Sequence, residues 1–186
     1  QHRSPTRDEH VAKSVTAIVV LITTFYPSPT DVRYATCLDT LKAAKIAGLE
    51  VVVVDASPDE RVRDEMRLVG THVHVFQQTA DDGKGGALRQ ALREGMKLPG
   101  VTLDSFMCFQ EPEKTALIHE WAMVVAAAKS TSASVVMPAR EPALFKSTYP
   151  VEQWHSESFA NALITAMAID AGVLEPYQNN NNNNNN

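Results

Sequence analysis

Three short stretches carry side chains suited to holding a phosphorylated ligand. Gly83-Lys84-Gly85-Gly86 sets a lysine among glycines. If this run opens a helix, its backbone amides and the Lys84 ammonium can together hold a diphosphate against the positive helix end. It is not a P-loop, because the GxxxxGK(S/T) pattern is absent. Asp55 directly follows Val51, Val52, Val53 and Val54, with Ser57 two residues on. An acidic residue after a buried second strand can accept hydrogen bonds from a base or ribose. Capping of the next helix by Ser57 or Asp59 accounts for the same residues equally well. Glu111 and Glu113 flank Pro112, so two carboxylates can face one site and share a divalent cation. Glutamates near a helix start are also favoured by its dipole, and Lys114 adds a positive charge beside the pair.

These stretches need elements that bring them together, and the hydrophobic pattern supplies a candidate set. Residues 15–22 form an apolar, β-branched run of the kind buried on both sheet faces. Residues 23–29 read as a loop because of Pro27 and Pro29. Thr30 or Asp31 can cap a helix to residue 47, with Gly48 stopping it. The pattern then predicts a strand at 50–55, a charged helix at 59–69, a strand at 71–77, a helix at 84–97 and a strand at 103–109. A helix at 115–129, a fifth strand at 134–138 and a last helix at 150–171 complete the reading. Strict alternation of this kind predicts a mostly parallel, Rossmann-like α/β sheet with helices on both faces. In such sheets ligands bind at the carboxyl ends of the strands. Thr23, Thr24 and Phe25 at the first end therefore join the list with Asp55, the Gly83 turn and Glu111.

Composition narrows the function classes. A length of 186 residues, 44% of them hydrophobic, suits one domain with a real core. The formal charge of -5 gives no basic stripe for nucleic acid or anionic lipid. No apolar run reaches the roughly 20 residues that cross a bilayer. Cys37 and Cys108 stand outside any disulfide or zinc spacing, which suits a reducing, cytoplasmic setting. Residues 1–14 read as a mobile leader and 15–178 as a single α/β domain. The asparagine run at 179–186 is low in complexity and stays outside the fold. His72 and His74 share a strand face as surface positions, and His155 is a lone candidate base.

Taken in order, residues 18–26, the run Val51-Val52-Val53-Val54-Asp55-Ala56-Ser57, the segment Gly83-Lys84-Gly85-Gly86-Ala87-Leu88 and the turn Glu111-Pro112-Glu113 resemble the landmarks of family 2 glycosyltransferases. The match covers roughly residues 15–140. The resemblance implies a nucleotide-diphospho-sugar transferase sheet of GT-A type. It implies that Thr23, Thr24, Phe25 and Asp55 hold uracil or guanine. The glycine-lysine segment is similar to that of mannosylglycerate synthase-like members, which implies that Lys84, between Gly83 and Gly86, meets the donor. Glu111-Pro112-Glu113 takes the place of the DxD motif, whose carboxylates contact ribose and a metal, here Mn or Mg. Glutamates and an intervening proline are a departure from that motif. Arg140, Gln153 and Glu157 would lie on the acceptor side. Family members continue past this point, so the chain is expected to lack part of the active site on its C-terminal side.

The leading expectation is transfer of a hexose from a nucleotide-sugar donor to a hydroxyl acceptor. A non-catalytic module that binds a nucleotide or a partner protein on the same fold is the alternative from another class. A nucleotidyltransferase is a lesser one, since it would carry a glycine- and arginine-rich loop where this chain has Thr24-Phe25-Tyr26-Pro27.

Overall fold

The computed structural model describes residues 17–79, 82–137 and 141–172. They fall into two compact units that divide between Val136 and Met137.

In the first unit β1 (Ile18–Thr24), β2 (Glu50–Asp55), β3 (Val73–Gln77) and β4 (Phe106–Phe109) form one parallel sheet in the order β3-β2-β1-β4. The connecting helices are α1 (Val32–Ile46), α2 (Glu60–Leu68) and α3 (Gly83–Gly95), and α4 (Trp121–Thr131) follows β4. The valines explain the layering. Successive strand residues face opposite sides, so Val20, Ile22, Val51 and Val53 pack with Tyr34, Leu41, Val62, Met66 and Trp121. Val19, Leu21, Val52 and Val54 meet Ala87 and Ala91 of α3 on the other face. Helices therefore cover both faces, as the alternating pattern predicts. Fully burying a side chain of this kind contributes about 1.5–3 kcal/mol, and eight of these strand residues are no more than 3% exposed.

The order has one functional consequence. Chain progression runs outward from β1 through β2 to β3, then returns to place β4 on the other side of β1. The strand order thus reverses between β1 and β4, and their carboxyl ends open a crevice there.

Several boundaries differ from the pattern. Thr23 and Thr24 belong to β1 and not to the loop, because Thr24 pairs in register with Asp55. Leu103 is 97% exposed, and the fourth strand starts only at Phe106, after a turn in which Ser105 N–H donates to Thr102 O. The helix expected at 115–129 is a 3-10 turn, Thr115–His119, followed by α4. The fifth strand is a correction: residues 134–137 form no strand, and residue 138 lies outside the described residues. Ser132 closes α4 in the left-handed conformation (φ 54°), and Val135 beyond it is 79% exposed. The β-branched residues of this stretch pair with neither edge of the sheet, which shows why propensity alone does not make a strand.

The second unit holds α5 (Pro142–Thr148) and α6 (Val151–Asp170). Glu141 caps α5 by accepting from the Ala143 and Leu144 N–H groups, with proline at the helix start. Phe145 packs edge-on against Tyr149 with ring centroids 4.7 Å apart. The leader, the asparagine run and Arg140 lie outside the described residues. No helix among the described residues is long and apolar enough to cross a membrane.

Candidate functional site

A cleft of about 620 Å³ opens at the carboxyl ends of the strands. Thr23, Thr24, Phe25 and Tyr26 at the end of β1 form part of its wall, and Glu111, Pro112 and Glu113 after β4 form another part. It therefore straddles the point where the strand order reverses. Gly83, Lys84 and Ala87 of α3 complete it, with Ala56, Gln78 and Arg33.

The α3 wall is built from glycine. Gly83 has φ +63°, a left-handed value that favours glycine, and the turn it makes starts the helix. A Cβ on Gly86 would collide with the Asp82 carboxylate, which lies over that first turn and pairs with Arg89. Gln90 fixes the approach to this turn from behind: its Oε1 accepts from Thr79 N–H at 3.0 Å and its Nε2 donates to Gln77 O at 2.9 Å. Gln78 Nε2 donates to Gly83 O at 3.2 Å. A helix start leaves its first amides without intrahelical acceptors, so this wall offers positive charge to an anion.

Lys84 is directed to the acidic turn. Its Nζ donates to Glu111 Oε1 at 3.3 Å and stands 5.5 Å from the centre of the Phe109 ring. Glu113 Oε1 accepts from the Tyr26 hydroxyl at 3.2 Å. Burial, and then the neighbouring Cys37, push the Tyr26 hydroxyl well above its ordinary range, so it stays a proton donor toward Glu113. Gln110 holds the root of the turn: Trp121 Nε1 donates to its Oε1 at 2.7 Å, and its Nε2 donates to Lys114 O at 3.3 Å. Both glutamates line the cleft as the sequence suggests, each with a partner of its own. Among the described residues no three His, Cys, Asp or Glu side chains assemble as a metal-ligand set. The acidic turn supplies two carboxylates, which suits a cation that takes one or two protein ligands and completes its shell with phosphate and water.

Asp55 stands elsewhere than on the wall. It is 0% exposed. Its carboxylate accepts from Thr24 Oγ1 at 2.7 Å, Ser57 Oγ at 2.6 Å, Ser57 N at 3.2 Å and Arg63 Nη1 at 3.1 Å. Ser57 Oγ in turn accepts from Tyr26 N–H at 2.9 Å. The group ties the end of β2 to the end of β1 and so positions Thr24, Phe25 and Tyr26. Capping of α2 falls to Asp59, which accepts from Arg61 N–H at 3.0 Å. No family model matches the chain, and no curated protein is significantly similar to it.

Gln153 and Glu157 lie on α6 in the second unit, the first exposed and the second half-buried, and Gln153 Nε2 donates to Glu157 Oε1 at 2.8 Å. The sequence reading missed two residues. Arg33 lines the cleft from the first turn of α1, and its signal was Asp31 two residues earlier, a carboxylate able to hold it. Arg63 is 6% exposed on the helix read as charged and amphipathic; the need of a buried Asp55 for a counter-charge was the available clue.

Proposed function

We propose that this chain is a glycosyltransferase that moves a hexose from a nucleotide-diphosphate sugar to a hydroxyl acceptor. One observation carries the reading: a single cleft at the strand-order reversal gathers the ends of β1 and β4 and the glycine-rich start of α3. Open α/β sheets bind nucleotides at such points. The exposed Phe25 ring and the edges of Thr23, Thr24 and Ala56 offer a flat and partly polar surface for a base. Asp55 acts through Thr24 in this scheme and not by direct contact.

The diphosphate lies against the start of α3 and the Lys84 ammonium. Negative charge grows on the diphosphate as the glycosidic bond breaks, and a fixed cation and oriented amides stabilise it there more than in the ground state. Lys84 leaves Glu111 to do so. Glu111 and Glu113 would then hold Mn or Mg together with the donor phosphates, supplying further charge to the leaving group.

A second reading has its own observation. Lys84 and Glu111 neutralise one another, and Asp55 is saturated by its neighbours. That arrangement favours a non-catalytic module binding a nucleotide in the same cleft. Release of nucleoside diphosphate separates the two: the protein is incubated with UDP- and GDP-hexoses, Mn and a panel of hydroxyl acceptors. Acceptor-dependent release that is lost in Lys84→Ala supports the transferase, whereas binding of the donor without release supports the module.

A further inference from the structure

Arg33 lines the cleft but has no task in holding the base or the metal. Asp31, the N-cap of α1, grips one side of its guanidinium: Nε donates to Oδ1 at 3.2 Å and Nη2 to Oδ2 at 2.9 Å. The Arg33 N–H donates to the same Oδ1 at 2.9 Å, so backbone and side chain are fixed together. The guanidinium carbon lies 5.6 Å from the centre of the Tyr26 ring, within the range of a cation–π contact. Tyr26 is 1% exposed and therefore a rigid support. Nη1 has no acceptor among the described residues, and the side chain remains 56% exposed. A surface arginine ordinarily loses conformational freedom when it binds an anion. Here that loss has already been taken in the free protein, and a planar donor stands at the cleft.

We propose that Arg33 is a second oxyanion-binding group of this cleft, independent of Lys84, so that the ligand complex presents negative charge to α1 as well as to α3. A planar guanidinium recognises phosphate and carboxylate oxygens better than a point charge does. The oxyanion is either the distal part of the diphosphate that Lys84 holds or a separate anionic group brought by the second substrate. The proposal rests on the preceding reading only in taking this cleft as the ligand site.

The test is calorimetric titration of wild type, Arg33→Ala, Arg33→Lys and Lys84→Ala with three probes: inorganic pyrophosphate, UDP or GDP, and inorganic phosphate added to protein already saturated with nucleotide. Among the described residues the Arg33 side chain hydrogen-bonds to Asp31, lies over the Tyr26 ring and feels the charge of Glu113. It is exposed and outside the core, so the alanine variant should keep the fold, and the lysine variant serves if it does not. If Arg33 serves the diphosphate, Arg33→Ala weakens pyrophosphate and nucleotide binding about tenfold, with Arg33→Lys recovering part of the loss. If it serves a separate group, nucleotide affinity is unchanged but the saturated protein binds phosphate, and Arg33→Ala does not. Unchanged binding of all three probes by Arg33→Ala, with Lys84→Ala impaired, overturns this proposal and leaves the donor site standing. Binding of pyrophosphate through Arg33 with no affinity gained from a nucleoside does the reverse. Absence of binding by every probe to folded wild type overturns both.

Discussion

Arg63 Nη1 donates to Asp55 Oδ2 at 3.1 Å, and the two side chains are only 7% and 0% exposed. A buried pair of this kind binds its own elements together more than it stabilises the protein, because desolvation offsets most of the attraction. Removing one partner is different. Asp55→Ala strands the Arg63 charge and releases Thr24 and Ser57, so a loss of about 3–5 kcal/mol is expected, read as a lower urea midpoint. A loss below about 1 kcal/mol would show that the network does not hold the β1 and β2 ends.

Tyr26→Phe isolates one link between the core and the cleft. It removes the hydroxyl that donates to Glu113 and leaves the ring beneath Arg33 and 5.4 Å from Tyr34. A hydrogen bond to a charged acceptor contributes about 1.5–3 kcal/mol. Partial exposure of Glu113 puts the expected loss at the lower end, and Mn affinity in the presence of nucleotide should change severalfold as the carboxylate is freed. Identical metal affinity in both proteins would detach Tyr26 from the site.

The cysteines give a prediction in pH. Burial pushes the Cys37 and Cys108 thiols from their ordinary 9.0 up to about 12. Below about pH 9 both states carry neutral thiols and the folded state loses nothing. Between about 9 and 12 the unfolded chain releases these protons and the folded chain does not, so stability falls as pH rises. Denaturation midpoints should therefore decline over that window, and less steeply in Cys37→Ala when compared with its own value at pH 8. A thiol reagent at pH 8 should modify both residues only on unfolding.

Gly83 tests the backbone alone. Its φ is +63°, and a Cβ there would meet nothing within 4 Å, so Gly83→Ala introduces conformational strain without a clash. A cost of about 1–2 kcal/mol is expected. Donor binding should weaken with it, because the turn that aims Lys84 relaxes. Full affinity in the alanine variant would show that the turn does not orient the lysine.

The sheet was legible because valine and isoleucine runs mark strands buried on both faces, and the run ending at Asp55 matches β2 residue for residue. The fifth strand was not, since Val135 and Val136 satisfy the pattern while only tertiary pairing decides it. Much of the cleft was readable from the strand ends, which places Thr24, Lys84 and Glu111 in one list. Direction of side chains was the missing part. Nothing in the order of residues 51–57 says that Asp55 turns inward to Thr24 and Arg63, or that Arg33 is held at the mouth by Asp31.

Whether the cleft holds a nucleotide sugar through Lys84 is decided by calorimetric titration of UDP, GDP and their sugars against wild type and Lys84→Ala, with and without Mn. At least one nucleotide sugar is expected to bind, more tightly with Mn and at least tenfold more weakly after the substitution. Absence of binding by folded protein, or binding indifferent to Lys84, would rule out a donor site in this cleft.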